Sequence, residues 1–186
     1  MGRPAARRCF PISFVPGQPQ ARHISSYTQP AARSYLCSNK KNTLQSSNAK
    51  HAHTMKYFTI DELTHSSTAA RLGIDNTPPP EAVTCLKLLV EHVLDPLRQA
   101  WGRAITVTSG YRCPRLNKAV GGVPGSQHLL GQAADLVAGS PRDNARLYKL
   151  LQQLQLPVDQ AIDEHGHQWL HVSHGPRNRR SYFSID

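Results

Sequence analysis

The sequence from Met55 onward predicts an α+β domain, a small antiparallel sheet with helices packed on it. Three observations predict it. Apolar residues recur at helical spacing over 81–100 and again over 141–155, short β-branched or apolar runs lie outside those stretches, and Gly/Pro turn signals separate the two kinds of segment. Helices and strands that do not alternate regularly favour an α+β layout.

The elements follow in order. Tyr57, Phe58, Ile60 and Leu63 lead into a helical start at 59–62, with Thr59 as N-cap. Asn76-Thr77-Pro78-Pro79-Pro80 is a loop that launches the next helix, where proline is tolerated because the first turn has no N–H partner to lose. Val83, Leu86, Val90, Val93, Leu94 and Leu97 make 81–100 the longest amphipathic helix, which Pro96 is expected to kink or end. Ala104 to Thr108 is β-branched and reads as a strand that Ser109-Gly110 closes, and residues 111–127 read as loop. Gln132 to Val137 is a half-buried strand. Ser140 is an N-cap, with Pro141 first in the helix and Asp143 at the capping-box position; Leu147, Leu150, Leu151 and Leu154 carry that helix to about Gln155. Val158 to Asp163 and Trp169 to Val172, joined by His165-Gly166-His167, read as a final hairpin.

Charge divides the chain unevenly. Of the 22 Lys and Arg residues, eight lie in 1–54, which has no Asp or Glu; residues 55–186 hold the other fourteen with all twelve acids. The net charge of +10 therefore comes mostly from a Ser-, Asn-, Gln- and Arg-rich segment without apolar period, which is expected to be disordered. Three readings of it stand open: an upstream start, with Met55 the true one, a targeting peptide, or a basic tail for nucleic acid or an anionic surface. The chain divides accordingly into the segment 1–54, a domain over 55–175 and a C-terminal tail over 176–186, with Arg177 to Arg180 solvated. No run of eighteen apolar residues exists, so no membrane span is expected, and the interrupted apolar stretch at the start is too short for a secretory signal. The location expected is cytoplasmic, or the cell envelope after export. Cys9, Cys37, Cys85 and Cys113 form no short Cys/His spacing, and Cys85 falls on a helix face where a reduced thiol is usual.

Ser126-Gln127-His128-Leu129-Leu130-Gly131-Gln132-Ala133-Ala134-Asp135 holds an imidazole and a carboxylate among small and apolar residues; Trp169-Leu170-His171 brings a second imidazole. Two His and one Asp satisfy zinc, whose catalytic sites use three protein ligands and an open position. The residues alone leave open a loop histidine, a surface aspartate and a satisfied strand histidine.

The stretch S-x-H-x-x-G-x-A-x-D at 126–135, followed by W-x-H at 169–171, resembles the zinc D-Ala-D-Ala carboxypeptidase family, with its D-Ala-D-Ala dipeptidases and phage endolysin peptidases. Ser109-Gly110-Tyr111-Arg112 and the Leu116-Asn117…Val120-Gly121-Gly122 run strengthen the likeness. The resemblance implies zinc held by His128, Asp135 and His171, and a metallopeptidase acting on peptidoglycan stem peptides. It places Arg112 facing the metal, to bind a substrate carboxylate or the developing oxyanion. Ser126, Tyr111 and Trp169 are expected near substrate; Ser126 has no nucleophile elbow around it. Many relatives have an acid three positions before the last histidine, where this chain has Gln168. Glu164 is the nearest carboxylate that a hairpin brings across to Trp169–His171, and is the expected general base, with His167 the weaker alternative and a rim carboxylate the bland reading of Glu164. The competing function is a zinc-binding module without catalysis, as in the related hedgehog signalling domain. A monomer with a peptide substrate and no nucleic-acid partner is expected.

Overall fold

The computed structural model describes residues 55–186, which belong to one compact unit. Residues 1–54, with the disorder expected of them, lie outside the described residues. The architecture is α+β: helices packed on one side of a five-stranded sheet.

The two helical stretches take shape for the reasons their sequences give. Thr59 caps α1 (Ile60–Thr64), its Oγ1 accepting from the Glu62 N–H, and Ser66 does the same for Ala69 at the start of α2 (Ser67–Leu72). The long apolar stretch is one continuous helical rod with a defect inside it. It runs as α3 (Pro80–Leu89), a π-helical turn over Val90–Leu94, and α4 (Asp95–Trp101). Pro96 therefore neither ends the helix nor needs to. It has no N–H to donate, and the widened turn, in which the Asp95 N–H reaches back to the Val90 carbonyl, takes up the ring. Asp95 meanwhile accepts from the main-chain N–H groups of Lys56 and Tyr57, which ties down the start of the domain.

β1 (Thr106–Ser109) is followed not by loop alone but by α5 (Pro114–Ala119), with Cys113 at its N-cap and Pro114 in its first turn. The sequence stretch lacked an apolar period because one and a half turns are too short to show one. A 3₁₀ turn over Gln127–Leu130 leads to β2 (Ala133–Val137), then to α6 (Pro141–Leu154) with Ser140 capping it as expected, its Oγ accepting from the Asp143 N–H. β3 (Gln160–Glu164) and β4 (Trp169–Ser173) form the hairpin.

The chain does not end in a tail. Ser181–Ile185 form β5, which pairs parallel to β3. The sheet order is β1-β2-β4-β3-β5, antiparallel except at this last edge, so the sheet is mixed rather than wholly antiparallel. The Arg177–Arg180 cluster is correspondingly not all solvated. Arg179 bonds the buried Asp159 through its main-chain N–H (3.0 Å), Nε (2.9 Å) and Nη2 (2.6 Å).

Side chains alternate across the strands. Ala134, Leu136, Ala161, Leu170 and Val172 have no exposed surface and join Leu86, Leu89, Val93, Leu97, Leu147 and Leu151 in the core. The positions between them, Asp135, Ile162, Glu164, Trp169 and His171, lie on the opposite face, which carries no helix-packed core.

Candidate metal centre

Cross-strand register fixes the centre of that open face. Ser109 on β1 opposes Asp135 on β2, which opposes His171 on β4, which opposes Ile162 on β3. Directly opposed residues share a face and stand within contact distance. Asp135 and His171 are thus neighbours by register, 36 positions apart in sequence, with His171 Nδ1 3.0 Å from Asp135 Oδ1.

His128 arrives from the 3₁₀ turn. Ser126 caps that turn, its Oγ accepting from the His128 N–H, and Gly131 leaves it at φ 67 with its α-carbon so close to the Ala82 main chain that no side chain fits. The His128 ring then reaches both partners: Nε2 is 3.1 Å from His171 Nδ1 and 3.2 Å from Asp135 Oδ1. Its other nitrogen, Nδ1, lies 2.7 Å from the Gly110 carbonyl. Since a carbonyl only accepts, that nitrogen carries a proton, and Nε2 is the ring atom turned to the cluster. Gly110 can offer its carbonyl here because its backbone sits against the Leu63 main chain, where a β-carbon would collide.

Two imidazole nitrogens and a carboxylate oxygen converge to 3.0–3.2 Å of one another. A tetrahedral ion bonded to N and O at about 2.0–2.1 Å needs ligand atoms about 3.3 Å apart, which is nearly the spacing observed. The donor set and its geometry fit zinc, with one side of the triangle left for water or substrate. His128 is 2% and Asp135 7% exposed, so two of the three candidate ligands are buried.

Arg112 supports the carboxylate from behind. Its Nη2 donates to Asp135 Oδ2 (2.5 Å), its Nε to Ser109 Oγ (2.8 Å), and its own N–H to the His128 carbonyl (3.1 Å). Burial would push the Asp135 carboxyl up, but hydrogen bonds from His128 and His171 and their charge outweigh it and hold it well below the usual carboxylate range. Asp135 is an anion at any ordinary pH, as a ligand must be.

The family model for Peptidase M15 matches residues 56–173, a span that runs from just before α1 to the last residue of β4 and contains the whole cluster. The chain belongs to the Peptidase M15 family. No curated protein matches the chain. For a Peptidase M15 domain, membership implies a zinc-dependent peptidase, and the three residues that could hold the ion are brought together here from a 3₁₀ turn and two adjacent strands.

The remaining expected site residues are placed less uniformly. Glu164 opposes Trp169, two positions along β4 from His171, so its side chain is on the cluster's face and about 7 Å along the strand from it. Trp169 is half-buried on the same face, its ring 4.8 Å from that of His165. His167 Nδ1 lies 2.6 Å from Asp163 Oδ2, and Asp163 alternates to the helix-packed face, so His167 is engaged away from the cluster. Gln168 lies in the hairpin turn, its carbonyl accepting from Asn144 Nδ2. Tyr111 is 5% exposed and packs in the core; its main chain, not its ring, supports the region, donating to Leu63 and accepting from Asn76. Ser126 acts on the site through the turn it caps.

Three residues have roles that the sequence reading did not assign to them. Ser109 and Gly110 hold Arg112 and His128. Asp159, 1% exposed, accepts from Gln127 Nε2 (2.9 Å) as well as from Arg179, and so links the ligand-bearing turn to the C-terminal strand. The alternation Tyr182, Phe183, Ser184, Ile185 was the one available signal for β5; nothing local marks Asp159.

Proposed function

We propose that this domain is a zinc peptidase that hydrolyses peptidoglycan stem peptides, with His128, Asp135 and His171 as ligands and Glu164 as general base. The observation that carries the reading is the convergence of His128 Nε2, His171 Nδ1 and Asp135 Oδ1 to within 3.2 Å of one another. Zinc, when bound there, supplies Lewis acidity to a water and to the scissile carbonyl, which plain water at neutral pH lacks.

The chain's own groups do the rest. Glu164 stands on the open face one cross-strand row from His171, the carboxylate placed nearest the ligands on the β3–β4 hairpin. It takes the proton from the attacking water and returns it to the leaving amine. Arg112 keeps Asp135 aimed; the part of its guanidinium not engaged by Asp135 and Ser109 is a fixed positive charge for a substrate carboxylate or the developing oxyanion. Trp169 stands beside Glu164 on the same face. Asn144 steadies the hairpin that carries Glu164, with Nδ2 donating to the His167 and Gln168 carbonyls and Oδ1 accepting from the Ala138 N–H (2.6 Å). Gln168 in place of an acid does not favour the catalytically silent alternative, because a carboxylate is supplied from the opposite strand. Among the described residues no helix is long and apolar enough to cross a membrane.

The test is metal content of the purified chain beside His171→Ala. We expect about one zinc per parent chain, lost in the variant, and release of amino acids or shorter peptides from a stem pentapeptide by the parent alone. A parent that takes up no zinc from excess buffer sinks the reading.

A further inference from the structure

Two large apolar side chains stand exposed on the cluster's face without a role in the site so far described: Phe183 is 37% and Ile185 46% exposed. Both lie on β5, beyond residue 173 where the family match ends. Alternation fixes the side they take. Tyr182 packs against the core and Ser184 Oγ lies 3.4 Å from Asp163 Oδ2 on the helix-packed face, so Phe183 and Ile185 point the other way. In register, Phe183 sits beside Ile162 and Ile185 beside Glu164.

This strand is pinned, not fraying. Tyr148 Oη donates to the Phe183 carbonyl (3.2 Å), the His165 N–H to the Ile185 carbonyl (2.8 Å), and the Arg180 N–H to the Val158 carbonyl (3.1 Å), while Arg179 grips Asp159. Fixed apolar side chains that continue a cross-strand row from two metal-ligating positions form a ledge, and exposed apolar surface of this kind marks binding.

We propose that Phe183 and Ile185, with Ile162 and Trp169, form a subsite for the part of an extended peptide substrate that continues past the scissile bond. The inference rests on the peptidase reading above and narrows its substrate class. From His171 to Phe183 is two strand spacings, about 10 Å. An extended peptide covers about 3.3 Å per residue, so a substrate reaches Phe183 with its third residue from the scissile bond. The preferred substrate is then a stem peptide of four residues or more, not a free dipeptide; Ile162 lies beneath its path between Phe183 and His171, with Glu164 one row to the side.

The experiment is calorimetric titration of the full, zinc-loaded chain carrying Glu164→Gln with a stem pentapeptide and with peptides truncated stepwise from either end to the dipeptide. Affinity should fall about tenfold when the third residue on one side is removed, and Phe183→Ala should bring the pentapeptide down to the affinity of that truncated peptide. Ile185→Ala, at a more exposed position, is the second variant and should act in the same direction. Equal pentapeptide affinity with and without Phe183 overturns the subsite. So does a change in self-association by sedimentation with affinity unaltered, which makes the face a contact between copies. Hydrolysis by the unsubstituted chain is followed separately. Turnover with no effect of Phe183→Ala removes the ledge and leaves the peptidase standing; absence of both turnover and peptide binding removes both.

Discussion

On β4, Leu170 and Val172 point into the helices with no exposed surface, while Trp169 and His171, alternating with them, remain partly open. On β2 the same division separates Ala134 and Leu136 from Asp135, and on β3 it separates Ala161 and Asp163 from Ile162 and Glu164. One face is closed by apolar contact with α6 and the α3–α4 rod. The other gathers groups that would be costly in a core unless each had a partner: Asp135 has Arg112 and two imidazoles, and His128 has a carbonyl. A strand period of two lets five residues serve both faces, and it makes each face separately breakable.

The sharpest test uses adjacent carboxylates that alternation sends to opposite sides. Glu164→Gln should lower kcat about 10³-fold, about 4 kcal/mol in barrier, with zinc still bound. Asp163→Asn, one residue earlier and 4% exposed on the packed face, should leave kcat within a few-fold and instead alter stability. Steady-state kinetics with metal analysis on both variants decides it. Full activity in Glu164→Gln removes the base; a collapse of kcat in Asp163→Asn breaks the division between faces.

Leu170→Ala makes the opposite cut. It removes a fully buried side chain from the packed face one position before a ligand, and should cost about 3 kcal/mol of folding stability through lost burial and the cavity left behind. At a temperature where the variant remains folded, zinc stoichiometry should match the parent. Denaturant unfolding with metal analysis reads both quantities; loss of zinc from the folded variant shows that the two faces are coupled through β4 instead of independent.

How much of this was legible follows from which interactions are local. The capped helices, the β2 and β4 strands and the hairpin could be read because their signals lie within a few residues: Thr59, Ser140 with Asp143, and alternation at 133–137 and 169–173. The clustering of His128, Asp135 and His171 was legible through a motif whose parts are far apart but individually dense. What escaped depends on partners that no window contains. Pro96 reads as a helix breaker until the π turn shifts the hydrogen-bond frame by one residue. Tyr111 beside Arg112 looks like a site residue, yet burial against Leu63 and the α3 rod sends it to the core. The C-terminal strand reads as a basic tail because Arg179 is charged, and only the fold shows that Asp159, twenty residues earlier, is its counterion.

That ion pair offers the smallest effect. Arg179 holds the Asp159 carboxyl down at about 2, below its ordinary value of 3.8, first through the side-chain hydrogen bond and against the opposing pull of burial. A group depressed on folding adds stability that is complete above its unfolded pKa and disappears as pH falls through the folded one. The contribution should therefore be full at pH 7, start to shrink below about pH 4, and be gone a little below about pH 2. Because Arg179 is 41% exposed, solvent screening keeps the contribution small. Arg179→Ala should lower the melting temperature at pH 7 by a few degrees, with the gap to the parent closing between pH 4 and 2. A gap that stays constant over that window means the arginine acts by packing alone. A gap accompanied by weaker zinc binding means that Gln127, which shares Asp159 and precedes His128, carries the strain from the edge strand to the ligand turn, and that the C-terminal strand helps set the metal centre as well as the ledge beside it.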